Sequence, residues 1–245
     1  MSAEKTIRIA MWSGPRNIST TMMRAFENRA DTVVVDEPFY ACYLKASGVE
    51  HPYRAETLAA MPTDWREVRR RLDEPLPAGK SIFFEKHIAY HYPPSEPLDW
   101  LLARRTFLLI RDPRRMVASY ARKSVDIAPI VESFAVERRI HDFLAKRGLP
   151  CPIVDAADVL VDPAAMMRAL CGALAIPYTD RMLAWPAGPR ATDGPWAPHW
   201  YDAVNASTGF KQAAEKPPDL TPALESIAGA CAEDYRLLSS RRLRA

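Results

Sequence analysis

No run of apolar residues in this 245-residue chain approaches the ~18 needed to cross a bilayer. The first twelve residues, MSAEKTIRIAMW, carry an acidic side chain and only a short apolar stretch, too little for the core of a secretory leader. Net charge is scarce as well. The formal charge is only +3 although 26% of the residues are charged, so no long-range field points to nucleic acid or a membrane surface as partner. The four cysteines, Cys42, Cys151, Cys171 and Cys231, lie far apart without a C-x-x-C pair, which leaves out a zinc ribbon and a dithiol redox motif. Free, mostly buried thiols and a reducing, cytoplasmic location are expected. Nine glycines stand against twenty-two scattered prolines, which predicts stiff connections and no flexible linker. With 48% hydrophobic residues the chain can bury one sizeable core, and a single domain over 1–245 is expected. A homodimer is left open.

What is present is alternation. Short β-branched or aliphatic runs at Ile7 to Met11, Thr32 to Val35, Ser81 to Glu85, Thr106 to Ile110 and Ile153 to Val154 are separated by stretches of helical periodicity. Helices are expected near Ser19 to Asn28, Asp64 to Leu72, Leu98 to Arg104, Pro113 to Ser124, Val131 to Arg147, Pro163 to Ala175 and Pro222 to about Leu238. This pattern is that of an α/β protein in three layers, a central parallel sheet flanked by helices. Asp112 before Pro113 and Asp162 before Pro163 read as N-caps with proline at the first helical position. From Trp185 to Phe210 neither period holds, and a long loop of functional interest is predicted.

The first strand runs through Ser13-Gly14-Pro15-Arg16-Asn17-Ile18-Ser19-Thr20-Thr21 directly into a helix. A phosphate-binding loop needs this setting, because successive backbone N–H groups and the helix N-terminus converge on one anion. Gly14 and Thr21 keep the spacing of the nucleotide P-loop, but Thr20 stands where that motif has its lysine. The bland reading makes Ser19 an ordinary helix N-cap. Pro15 to Thr21 resembles the 5′-phosphosulfate loop of sulfotransferases, with Asn17 and Ile18 where that family has Ser-Gly. The resemblance implies a P-loop-type fold and a donor, 3′-phosphoadenylyl sulfate (PAPS), that leaves as 3′,5′-adenosine bisphosphate. It places Arg16 on the phosphosulfate and Ser19, Thr20 and Thr21 on the phosphate. A sulfonate carries less charge than a phosphoryl group, so no obligatory metal ion is expected.

A second anion motif follows the fourth strand: Arg111-Asp112-Pro113, then Ser119 eight positions after the arginine. An arginine at the carboxyl edge of a parallel strand points into the crevice where open α/β sheets bind ligands. The pair resembles the 3′-phosphate motif of sulfotransferases. Arg114 and Arg115 read as surface charges. Arg190, ahead of Gly194-Pro195-Trp196, loosely resembles the late loop that closes over the 3′-phosphate, and a solvated loop arginine is the reading favoured over that one.

Sulfonate transfer to a hydroxyl calls for a general base. Glu37, in Asp36-Glu37-Pro38, and His87, in Glu85-Lys86-His87, both follow strands, and both have counterparts in branches of the family. Lys86 is expected to stabilise the transferring group, and His91 to line the same pocket. The proline after Glu37 predicts extended backbone there. The acceptor, a small molecule, is expected against Phe39, Tyr40, Tyr43, Trp196, His199, Trp200 and Tyr201. Two rival readings stand beside this one: a P-loop kinase or nucleotide hydrolase, and a PAPS- or nucleotide-binding module without chemistry.

Overall fold

A computed structural model of the chain describes residues 6–123, 126–211 and 218–245. Five strands form one parallel sheet in the order β2-β3-β1-β4-β5. They are β1 (Ile7–Ser13), β2 (Thr32–Asp36), β3 (Ile82–Ile88), β4 (Arg105–Ile110) and β5 (Ile153–Asp155). All five expected strands are present. β1 lies at the centre, pairing Ile9 with Phe84 of β3 and Trp12 with Leu108 of β4.

The strands are buried on both sides, and their alternation sends residues to two separate cores. Ile9, Met11, Phe84, Phe107 and Leu109 meet Met22, Met23 and Phe26 of α1 (Ser19–Glu27). Ala10, Trp12, Leu108 and Ile110 meet the opposite layer, with Val136, Ile140 and Leu144. After β2 come α2 (Tyr40–Ser47), α3 (Arg54–Ala60) and α4 (Trp65–Leu72), the last capped by Asp64. Periodicity alone did not reveal α2 or α3. They have eight and seven residues, too few to display a full apolar stripe.

Later in the chain come α5 (Pro113–Tyr120), α6 (Ala128–Ala145), α7 (Ala156–Val161) and α8 (Pro163–Ala173), of which α7 and α8 join the core of α1 through Val159, Met166, Met167 and Leu170, while α6 shares the opposite core with Val68 and Leu72 of α4. Asp112 and Asp162 cap α5 and α8 as expected, Asp112 accepting from the N–H of Arg114 and Arg115, and Asp162 from that of Ala165. The expected end of the first of these helices at Ser124 lies outside the described residues. The stretch at Leu98 to Arg104 forms only a 3₁₀ turn at Asp99–Ala103. The long loop holds two single turns, α9 (Ala197–Trp200) and α10 (Asp202–Asn205), and the last expected helix divides at Cys231 into α11 (Pro222–Ala230) and α12 (Ala232–Ser240). All four thiols are free, and only Cys151 is not fully buried. Among the described residues no helix is long and apolar enough to cross a membrane.

Phe84 sits at the centre of the first core, fully buried and stacked on Phe26 at 4.1 Å between ring centroids. Phe84→Ala is expected to lower stability by about 3–5 kcal/mol, read as a lower denaturant midpoint with an unchanged slope.

Candidate active site

The carboxyl edge of the sheet opens into a cavity of ≈ 310 Å³. Every residue from Pro15 to Thr21 lines it, together with Glu37, Lys86, Arg111 and Ser119. Residues from four strand ends and the long loop thus meet in one place.

The donor-type loop is built by unusual backbone. Arg16 and Ile18 have φ of 60° and 41°, conformations that non-glycine residues seldom adopt. Ile18, not Ser19, is the residue that caps α1, and no side chain bonds the helix end. The N-cap reading of Ser19 is therefore overturned. The first-turn N–H groups of α1 are not closed by a side-chain cap from this loop, which suits an anion there. Asn17 explains its departure from the family pattern: its Nδ2 donates to the Leu109 carbonyl of β4, bracing the loop against the sheet. Arg16 reaches the second motif directly. Its Nε donates to the Ser119 hydroxyl at 3.1 Å, and Arg111 donates to the Arg16 carbonyl at 2.6 Å. The two motifs, 95 residues apart, are one site. Burial first, then neighbouring arginines, lower the pKa of both Arg16 and Arg111 from its ordinary value, with Asp202 acting against this at Arg16 and Asp112 and Asp155 at Arg111.

Opposite these cations lies a buried ion cluster. The Lys86 ammonium donates to Asp36 Oδ1 at 2.8 Å, Glu37 Oε1 at 2.6 Å and the Tyr201 hydroxyl at 2.8 Å. Burial works against this charge, yet the two carboxylates outweigh it and raise its pKa. Burial pushes the Glu37 carboxyl up, Lys86 pulls it back and Asp36 adds to the rise, leaving it at about 7 against an ordinary 4.5. Glu37 does not have the extended backbone expected before a proline. Its φ is 44°, fixed by its N–H donating to the Lys86 carbonyl and its own carbonyl accepting from Tyr40, both at 2.9 Å. Those two bonds hold a turn that outweighs the local preference.

His87 is not in this cavity. On β3 it points to the opposite face from Lys86, stacked on Trp12 at 4.3 Å and bonded through Nε2 to Glu85 at 3.2 Å. Arg104 completes that buried group, 3.2 Å from Glu85. The physical reason is the two-residue period of a strand. His91 lies behind Glu37, with Nδ1 3.7 Å from its Oε2 and the ring stacked on Tyr40, and does not line the cavity. Arg190 is also elsewhere: its side chain donates to the Pro186 carbonyl and approaches Glu27. Arg114 pairs with Glu225 on the surface.

Of the expected acceptor wall, Tyr40, Trp196, Trp200 and Tyr201 line the cavity. Phe39 instead joins the far core beside Trp65, Tyr43 packs on His91, and His199 stands edge-on to Trp200. Sequence reasoning missed Ile88, Tyr90, Tyr120, Ser207, Gly209 and Lys211, which also line it. Lys211 is the one with a signal that could have been used, a cation closing the aperiodic Trp185 to Phe210 stretch. Among the described residues no group of three His, Cys, Asp or Glu is arranged to hold a metal ion.

A carboxyl whose folded pKa lies above its unfolded one binds protons more tightly in the native state, so its stabilising contribution is full below about 4.5 and lost as pH rises through about 7. Relative to Glu37→Gln, the wild type should therefore lose on the order of 3 kcal/mol of stability across that window, read by denaturant titrations at several pH values.

The sequence model of a family described as the sulfotransferase domain matches residues 7–233. Two Arabidopsis thaliana proteins called branched-chain-amino-acid aminotransferase-like protein 2 and protein 1 are 36% and 37% identical over 215 and 211 residues. Each match covers 85% of this chain, which spans only 37% of either relative's length. Among solved structures, a sulfotransferase from Alicyclobacillus acidocaldarius superposes with a TM-score of 0.58 at 10% identity, over 96% of this chain and 94% of that one. Mouse sulfotransferase SULT7A1 complexed with PAP superposes with a TM-score of 0.52 at 11% identity, over 98% and 90%. These likenesses establish the fold, and the family match over nearly the whole chain establishes kinship: the chain belongs to the sulfotransferase domain family.

Proposed function

We propose that this chain is a PAPS-dependent sulfotransferase that moves a sulfonate group onto a hydroxyl or amine of a small-molecule acceptor in the cytoplasm. The observation that carries the reading is the shared cavity: a cationic donor end and a carboxyl of near-neutral pKa line the same 310 Å³ space. In the displacement, a bond forms from the acceptor oxygen or nitrogen to sulfur and the bond from sulfur to the bridging oxygen breaks. The products are the sulfated acceptor and 3′,5′-adenosine bisphosphate. Glu37 takes the acceptor's proton, and its pKa of about 7 suits both taking and releasing it at neutral pH. Arg16 and the N–H groups of the loop hold the phosphosulfate, Arg111 and Ser119 hold the 3′-phosphate, and Lys86, its three N–H groups taken by Asp36, Glu37 and Tyr201, supplies positive charge behind the base for the transferring group.

The kinase reading lacks its phosphate lysine, since Thr20 holds that position. A binding module without chemistry would have no need of a desolvated carboxyl beside the donor loop, whose burial costs stability. Calorimetric titration separates the readings: 3′,5′-adenosine bisphosphate is expected to bind and ATP with Mg²⁺ is not. Preference for ATP with Mg²⁺, or turnover abolished by EDTA and restored by Mg²⁺, sinks the proposal.

Arg111→Ala is expected to weaken 3′,5′-adenosine bisphosphate by about 1.5–3 kcal/mol. Binding of 5′-AMP should fall less, and not by zero, because Arg111 also holds the Arg16 carbonyl. With PAPS as donor and an acceptor found by screening, Glu37→Gln should lose about a hundred- to ten-thousandfold in turnover while still binding the bisphosphate. His87→Asn should keep the pH profile, its position across the sheet making it a packing residue.

A further inference from the structure

The Tyr201 hydroxyl has five polar partners, the Thr20 side chain of the donor loop among them. It accepts from Lys86 Nζ at 2.8 Å and Trp196 Nε1 at 3.1 Å, lies 2.7 Å from Asp36 Oδ2 and 3.4 Å from Glu37 Oε1, and is buried. We infer that Tyr201 is a positioning residue for the proton transfer, its hydroxyl making Asp36 the fixed charge of the carboxyl pair and leaving Glu37 free to exchange its proton with the acceptor. The inference rests on Glu37 being the base.

Hydrogen-bond accounting assigns the roles. An ammonium has three N–H groups, and those of Lys86 have three acceptors, Asp36, Glu37 and Tyr201. Tyr201 has one proton to give, and the shorter distance directs it to Asp36. Asp36 Oδ2 also accepts from the Gly194 N–H at 3.2 Å, so Asp36 collects three donors. Glu37 keeps one short bond, from Lys86. Two carboxyls that differ so in their donors are unequal, the charge of Asp36 being met by three donors and that of Glu37 by one short bond.

The same segment reaches the donor loop. The Trp200 carbonyl accepts from Arg16 Nη1 at 3.4 Å, so consecutive residues touch the donor arginine and the base's partners. Gly194 fixes how the segment lies, since a Cβ there would sit 2.2 Å from the Trp196 ring. Besides Asp36, Lys86 and Tyr201, the titratable groups facing Glu37 are His91, Tyr40 and Tyr90. Burial holds His91 neutral and raises both tyrosines, so none of the three changes charge across the neutral range.

Tyr201→Phe removes the hydroxyl and keeps the ring over Lys86, 5.1 Å from Nζ. Lys86 gains no bond to Glu37, because its freed N–H has no new acceptor, while Asp36 loses a donor and its charge acts more fully on Glu37. The acid limb of kcat/KM, at about 7 in the wild type, is expected to move up by about half a pH unit or more, with KM for PAPS unchanged. Asp36→Asn should move it down, and adding Tyr201→Phe to Asp36→Asn should shift it less than Tyr201→Phe does alone, since the proton's acceptor is gone. Activity lowered equally at every pH, or shifts that simply add, would overturn the inference. A readout free of acceptor and donor is the infrared band of the protonated carboxyl in the ligand-free protein. Its absence in Glu37→Gln assigns it, and its midpoint should rise in Tyr201→Phe. An unmoved midpoint refutes the role of Tyr201, whereas full turnover in Glu37→Gln refutes the base assignment itself.

Discussion

Lys86 brings a full positive charge to a place where only 1% of its surface meets solvent, and the rest of the site is arranged around that cost. Desolvating an ammonium is tolerable only if its three N–H groups all find acceptors and opposite charge lies alongside. Asp36 from the end of β2, Glu37 just beyond it and Tyr201 from the long loop meet that requirement together. One ion therefore joins two neighbouring strand ends to a segment more than a hundred residues away in the chain. Because two carboxyls share one ammonium, the cluster carries an excess negative charge when both are ionised. Burial is the first cause of the rise of the Glu37 carboxyl to about 7, and the charge of Asp36 adds to it against the pull of Lys86.

The parity of β3 decides which neighbour of Lys86 can take part. Successive side chains on a strand point to opposite faces, so Lys86 enters the cavity and His87 is driven into the far core, between Trp12 and Phe39. There Glu85 and Arg104 supply its polar surroundings, and burial lowers the imidazole's pKa below the ordinary 6.5. A histidine of suitable unperturbed pKa is thus spent on packing, and a carboxyl of unsuitable unperturbed pKa is tuned into the range where proton exchange is useful.

Strain gathers at the same edge. Arg16, Ile18 and Glu37 hold positive φ, each costing roughly 1–3 kcal/mol, and each is held by neighbours that over-determine it. Arg111 fixes the Arg16 carbonyl, Asn17 braces on Leu109, and Glu37 is pinned by backbone bonds to Lys86 and Tyr40. The long loop is anchored by an equally buried pair, Arg24 of α1 with Asp193 at 2.7 Å, which brings Gly194, Trp196 and Tyr201 over the end of β2.

By itself the sequence determined the parallel sheet, because five short apolar runs bounded by turn residues leave few other arrangements, and it marked the two segments Pro15–Thr21 and Arg111–Ser119, because strand, loop and helix follow one another within each. Asp112 and Asp162 as caps were legible for the same reason: capping is local. The short helices α2 and α3 were not, since seven or eight residues carry too little period to read. Only the tertiary structure put Glu37 in the cavity wall and His87 across the sheet, set Arg190 apart from the cavity, and brought Tyr201 and Lys211 into its wall. Each of these depends on which way a side chain points once distant segments are docked and on the charges it then meets in a low-dielectric interior, and neither is encoded in spacing along the chain.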